Sequence, residues 1–167
     1  LVRELALIGG VSDAVIRGLI KQDIFDAIEV SVDTPFPAPD PDHAPPTLSA
    51  AQADAAMTMA NAVRDHEFAP FLLDGVTGSG KTEVYFEAIA AAIRADAQVL
   101  VLLPEIALTE NFLHRFEERF GTVPVLWHSS LKSTERRRAW RAVASGEAQV
   151  VVGARSALFL PYPKLGL

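Results

Sequence analysis

Cysteine is absent from the 167 residues, so neither a disulfide framework nor a cysteine zinc site can be built from them. Apolar runs of the roughly 20 residues needed to cross a bilayer are also absent, and no basic-then-apolar leader opens the chain. The expectation is a cytoplasmic protein with no membrane partner. An initiator Met is missing, since the chain opens at Leu1, and a fragment of something longer is expected. Excess positive charge is missing too. A net charge of −6 argues against a generic nucleic-acid coat. No internal repeat is present.

What is there suits a globular chain. Half of the residues are hydrophobic and 22% are charged, enough to bury a core. The charge is uneven. Residues 1–70 hold 4 Lys/Arg against 11 Asp/Glu, and residues 71–167 hold 11 against 10. Basic residues therefore gather in the second part.

Three zones separate by pattern. In residues 1–33, Ser12 precedes Val15, Ile16, Leu19 and Ile20 at helical spacing and fits a helix N-cap. Ala27–Val32 then alternates like a short strand. A helix followed by a strand suits the end of a winged-helix module, or a plain helical hairpin. Residues 34–47 contain six prolines, which lack amide donors and fix φ, so an extended linker is expected there. From residue 48 helices and strands alternate. Helices are predicted over Ala50–Asp65, Lys81–Arg94, Leu108–Phe120 and Thr134–Ser145. Strands are predicted over Phe71–Asp74, Gln98–Leu103, Val123–His128 and Gln149–Val152. Continuous apolar strands between amphipathic helices imply an α/β fold, a parallel sheet with helices on both faces.

Gly75-Val76-Thr77-Gly78-Ser79-Gly80-Lys81-Thr82 fits the phosphate-loop pattern, with a predicted strand before it and a helix after it. Glycines let the backbone curl so that several N–H groups face phosphate oxygens, and the next helix adds its positive end. Lys81 is the expected cation for the β- and γ-phosphates. The Thr82 hydroxyl is the expected Mg²⁺ ligand, a hard oxygen for a hard cation. A chance match in a chain this size is about one in a few hundred. Kinases, GTPases, transport ATPases and helicases share the pattern, so its neighbours must discriminate.

Those neighbours are specific. Phe71-Leu72-Leu73-Asp74 through the loop to Glu83-Val84-Tyr85, then Val99–Thr109, Trp127–Leu131 and Val151–Phe159, resemble motor motifs of the primosomal protein N′ (PriA) family of superfamily 2 DNA helicases. The likeness covers residues 48–167 well and reaches 1–33 weakly, where that family has the end of its winged-helix domain. It implies a RecA-like P-loop NTPase lobe, ATP and Mg²⁺ as cofactors, and 3′-to-5′ movement on single-stranded and forked DNA. It further implies replication restart and primosome assembly, with primosome proteins and single-strand-binding protein as partners. Zinc is expected in the parent family. Departures are Asn111 for a usual Gln, Ser130 for a usual Gly, and Asp23 for a usual Gly. The family's Asp-Glu-Glu-His motif, second lobe, arginine finger and zinc cysteines do not occur in these residues.

Remaining candidates carry two readings each. Gln52 can read adenine, as such a Gln does in superfamily 2, or close a capping box with Ser49. Glu105 and Thr109 follow a strand end, where ligands gather in open parallel sheets. Thr109 can donate to a DNA phosphate or cap the next helix. Arg155 and Ser156 can contact the DNA backbone, or Arg155 can form a surface salt bridge; His128 can line the strand channel with Ser129, or simply end a strand. Arg136, Arg137, Arg138 and Arg141 spread around a helix and read as a solvated face, with DNA contact as the minor alternative. Trp127 and Trp140 read as core before base-stacking platforms, though stacking is a known mode of holding single strands. Two rival functions stand beside the helicase: a different P-loop enzyme such as a small-molecule kinase, and a truncated module that binds without turnover. Phosphoryl transfer needs metal positioning and charge stabilisation from the motifs named above as not occurring here, so the isolated chain is expected to be inactive.

Overall fold

The structure is a computed structural model that describes residues 2–25, 34–104 and 110–167. Contacts divide the chain into two units, Leu1–Thr34 and Pro35–Leu167. In the first, helix α1 (Val2–Gly9) is followed by α2 (Asp13–Lys21). Gly10, at φ +61°, turns the chain between them. Val11 N–H donates to Ala6 O at 3.0 Å, the closing bond of a glycine C-cap. Ser12 stands at the N-cap of α2 in extended conformation, but its side chain makes no cap hydrogen bond. The strand expected over Ala27–Val32 lies outside the described residues.

The second unit holds the α/β fold. Its elements are α3 (Ala50–Arg64), α4 (Lys81–Arg94), β1 (Val99–Leu102), α5 (Glu110–Phe120), β2 (Val125–Trp127), α6 (Ser133–Ala144) and β3 (Val150–Gly153). A 3-10 turn follows over Arg155–Phe159. The three strands run parallel in the order β1-β3-β2, with Val99 opposite Val150 and Val125 opposite Val151. Every residue of the central strand β3 is buried. That explains its unbroken apolar sequence, because both of its faces are covered.

Alternation along β3 sorts the core into two layers. Val150 and Val152 meet Phe86, Ile89, Phe116 and Phe120, so α4 and α5 cover one face. Val151 meets Val125, Ala139, Ala142, Val143 and Leu160, so α6 and the 3-10 segment cover the other. The Phe112, Phe116, Phe120 stripe of α5 converges on Phe86, with ring centroids 5.5 to 5.9 Å away in edge-on geometry.

Residues 35–47 form no helix or strand, yet they are fastened to the unit. Asp40 N–H donates to Phe120 O at 2.9 Å, and Phe36 N–H to Glu147 Oε1 at 2.8 Å. The Arg119 guanidinium, 5% exposed, donates to Pro41 O at 2.9 Å and to Glu87 Oε1 at 2.8 Å.

The expectation of a strand over Phe71–Asp74 is corrected. The segment is irregular, with Leu72 94% exposed. An apolar run becomes a strand only beside a partner, and the outer edge of β1 is taken. Lys164 O accepts from Gln98 N–H at 2.7 Å, and Leu167 O accepts from Leu100 N–H at 2.8 Å. Residues 164–167 thus use the β1 donors that another neighbour would need.

Gln98 fastens that edge to the rest of the unit. It is 1% exposed, its Nε2 donates to Val143 O and Ala148 O at 3.1 and 2.9 Å, and its Oε1 accepts from Lys164 N–H at 3.1 Å. Gln98→Leu keeps the bulk and removes all three bonds, leaving Ala148 O and Lys164 N–H without this partner while Val143 O keeps Gly146 N–H. The expected loss is about 2 kcal/mol or more, since one unsatisfied buried group costs ~1–3 kcal/mol. Urea unfolding measures it, and an unchanged midpoint would refute the account.

Candidate functional site

The glycine-rich loop feeds directly into α4. Ser79 N–H donates to Val76 O at 3.2 Å, closing a turn. Gly78 and Gly80 follow at φ +83° and +79°, a left-handed conformation that favours glycine. Gly80 is the N-cap of α4, and Lys81 is its first residue. A Cβ at Gly75 would stand 2.6 Å from Ser79 Oγ, and one at Gly80 would collide with Gln52 Nε2. The glycines at these two positions therefore permit close approach as well as curvature.

Three side chains hold the loop. The Lys81 ammonium donates back to Gly75 O and, at 2.9 Å, to Val76 O. Gln52 serves the capping box and the loop together. Its Oε1 accepts from Ser49 N–H at 2.8 Å, while its Nε2 donates to Ser79 O at 2.9 Å. Ser49 Oγ completes the box by accepting from Gln52 N–H at 3.4 Å. The third side chain is Arg115 of α5, which the sequence reading missed. Its Nη1 donates to Thr82 Oγ1 at 3.1 Å, and its Nη2 pairs with Glu83. Burial pushes the Glu83 carboxyl up, but hydrogen bonds from its own backbone amide and Arg115, with the guanidinium charge, hold it below the usual carboxylate value. The missed signal was a matched spacing: Glu83 and Glu87 on one helix, Arg115 and Arg119 on the other, each pair four apart.

A second group of candidates lies where the strands end. His128 and Ser129 follow β2, and Arg155 and Ser156 follow β3. The two ends are joined, because Ala154 N–H donates to Trp127 O at 3.1 Å. A Cβ at Gly153 would lie 2.5 Å from that same oxygen, so the close approach requires glycine. Arg155 and Ser156 are exposed, and Arg155 has no hydrogen-bond or ion-pair partner among the described residues. Glu105 and Thr109 lie outside the described residues. Among the described residues no cluster of His, Asp and Glu could hold a metal ion, and no helix is long and apolar enough to cross a membrane.

Two expectations are corrected here. Trp140 is not core: it is 47% exposed. Nor do the α6 arginines form one solvated face. Arg136 Nη2 donates to Ser129 O at 3.0 Å, and the Arg138 guanidinium lies 4.0 Å over the Phe36 ring. Successive residues of a helix point roughly 100° apart, which sets consecutive arginines against different neighbours.

The phosphate-loop residues, the strand-end residues and the parallel sheet all fall within residues 50–162, which match the DEAD/DEAH box helicase family. The chain belongs to that family. Within this helicase domain the similarity is strong. The replication restart protein PriA of Rickettsia conorii is 51% identical over 98 residues, 59% of this chain and 15% of the relative. PriA of a Synechocystis strain is 44% identical over 122 residues, 73% of this chain and 14% of the relative. PriA of Bacillus subtilis is 45% identical over 97 residues, 58% of this chain and 12% of the relative. The chain thus spans about a seventh of the length of these relatives.

Because Gln52 both caps α3 and props the helicase loop, Gln52→Ala should act at two places. The lost capping box costs about 1 kcal/mol of stability. Amide exchange at Gly78–Lys81 should speed up more than exchange in the core strands. Hydrogen exchange read by mass spectrometry checks this, and equal protection in the mutant loop would sink the propping role.

Proposed function

We propose that the chain is the front of motor lobe 1 of an ATP-dependent 3′-to-5′ DNA helicase that serves replication restart and primosome assembly. In this reading residues 1–33 end a winged-helix domain, 34–47 link it, and 48–167 begin the ATP-binding domain. The observation that carries the reading is the loop itself: Gly75–Gly80 curled onto the N-terminus of α4, with the Lys81 ammonium at its mouth.

The residues fit Mg²⁺ and ATP. Loop amides and the positive end of α4 would hold phosphate oxygens. Among the described residues Lys81 is bound to two loop carbonyls, contacts it can exchange for the β- and γ-phosphates. Thr82 Oγ1 accepts one bond from Arg115, which leaves a second lone pair for the metal. An adenine contact by Gln52 is supported by its position beside the loop, where its Nε2 donates to Ser79 O at 2.9 Å. Bound Mg²⁺-ATP supplies the phosphoryl group whose hydrolysis drives the motor. The chain's own groups bind, orient and neutralise.

Single-stranded and forked DNA would run across the strand ends, at His128, Ser129, Arg155 and Ser156; Thr109, outside the described residues, is a further candidate contact. Similarity to replication restart proteins supports primosome proteins and single-strand-binding protein as partners of the longer protein, and a cytoplasmic setting. Zinc would belong to parts of that protein that carry cysteines.

In the longer protein, Lys81→Ala should abolish ATP-driven unwinding and leave DNA binding largely intact, because it deletes the cation facing the β- and γ-phosphates. Fork unwinding at the wild-type rate would refute the role. Arg155→Ala should weaken binding about equally for all DNA sequences and lower the salt-dependence slope by roughly 0.7, the single-strand value for one lost phosphate contact. Titrating labelled strands across a salt series reads both. An unchanged slope, or a loss confined to one sequence, would remove Arg155 from the DNA surface.

A further inference from the structure

Both tryptophans of the chain line one open cleft of about 570 Å³ at the end of β2, between its last residues and helix α6. Ser133, Arg136, Arg137 and Trp140 reach it from α6 at spacings of three, four and seven residues, one helix face. Trp127 and Ser129 reach it from the strand end. Among the described residues no carboxylate lines it. The one acidic residue of α6, Glu135, turns to the start of its own helix, where it accepts from Lys132 N–H at 3.1 Å.

The cleft is unequally occupied. Arg136 is spent on structure: its guanidinium lies 5.8 Å from the Trp127 ring centroid and donates to Ser129 O at 3.0 Å. Arg137 is exposed and has no hydrogen-bond or ion-pair partner among the described residues. The Trp140 indole is 47% exposed, and its N–H has no partner among the described residues. A large aromatic surface held open beside a free cation asks for an occupant that is flat and anionic. A nucleotide is both, since a base offers a π-face and its phosphate a charge. The two guanidinium groups, with no carboxylate among the described lining residues, favour a polyanion over an apolar peptide. The cleft also adjoins the other strand end through the Ala154 N–H bond to Trp127 O.

We propose that this cleft is a base-stacking subsite for single-stranded DNA. Trp140 supplies the ring on which one unpaired base lies, Arg137 meets a phosphate, and the Arg136–Trp127 stack forms the facing wall. The subsite rests on the strand-binding reading above and adds to it a contact with a base in place of the backbone. Stacking tolerates any base, so affinity is gained with little sequence preference.

With two tryptophans in the chain, both in the cleft, intrinsic fluorescence reports the subsite directly. The intact chain is titrated with oligothymidylate and with an abasic strand of the same length. Oligothymidylate should quench the emission, and the abasic strand should bind more weakly with little quenching. Trp140→Ala should weaken oligothymidylate binding roughly 5- to 150-fold, the span that stacking of one base covers, and should leave abasic binding unchanged. Trp140→Phe should restore most of the loss. Circular dichroism identical to wild type shows that the half-exposed side chain was not holding the fold. Arg155→Ala is the companion: it should weaken both strands alike and preserve the quenching at saturation. If Trp140→Ala binds both strands as wild type does while Arg155→Ala weakens them, the subsite is overturned and the strand-binding reading stands. Equal affinity of the wild-type chain for both strands overturns it as well. No binding of either strand overturns the subsite together with the reading on which it rests.

Discussion

Gly80 has no side chain, and the carboxamide of Gln52 fills the place where one would be. From that contact the order of the second unit can be traced. With φ at +79°, Gly80 turns the loop into α4, and its carbonyl accepts from Val84 N–H at 3.3 Å in the first helical turn. α4 is then buried almost without break from Ala88 to Ile93, so it has little freedom to rotate on the sheet. A Cβ at position 80 would strain φ and push Gln52 out of both its cap and its bond to Ser79 O. One backbone conformation thus couples the start of α3, the loop and the rotational setting of α4.

That setting decides what α5 can meet. Glu83 and Glu87 project on one row, and Arg115 and Arg119 answer them rung for rung, with Phe86 and the phenylalanine stripe beneath. The rungs differ physically. Arg119 is 5% exposed and also serves Pro41 O, so removing Glu87 would leave a buried cation short of a partner. Loss of one member of a buried pair costs far more than the pair contributes. The Arg115–Glu83 rung is over a third exposed on both sides, and a pair so placed adds little stability. Its consequence is positional, since it presents Arg115 to the Thr82 hydroxyl. The inner rung sets the register, and the outer rung uses that register at the nucleotide loop.

Much of this was legible in the sequence because it depends on local chemistry. Glycine spacing marks the loop, since few other residues tolerate those φ values. The Phe112, Phe116, Phe120 stripe marks a buried helix face, and three valines in a row mark β3 as covered on both sides. What was not legible depends on partners distant in the chain. Phe71–Asp74 has strand composition, but pairing is decided by who occupies the edge of β1, and residues 164–167 do. Trp140 has core composition, but its helix turns it outward beside Arg137. Arg115 looks like any helix-surface arginine until α4 is laid beside it. Patterns of period two or 3.6 report one element's face and say nothing about which other element covers it.

The basic character of residues 71–167 acquires a different meaning once partners are assigned. Lys81 is held by loop carbonyls, Arg94 by Asp42 at 2.5 Å, Arg115 and Arg119 by the α4 glutamates, and Lys164 by Asp96 at 2.5 Å. Arg136 is committed to Ser129 O. Most of the positive charge is therefore internal fastening, which is why a chain of net charge −6 can carry eleven cations in one stretch without being a generic polyanion binder. Arg137 and Arg155 are the exposed arginines of that stretch without a partner among the described residues, and both stand beside strand ends. A parallel sheet buried on both faces leaves its edges and strand ends as places for polar chemistry, and the β1 edge is already taken. Unspent charge concentrated at the strand ends can attract a backbone locally while the acidic remainder repels it elsewhere. On the strand-binding reading proposed above, a few such contacts are a better fit than a continuous basic surface, because each one can be broken at small cost.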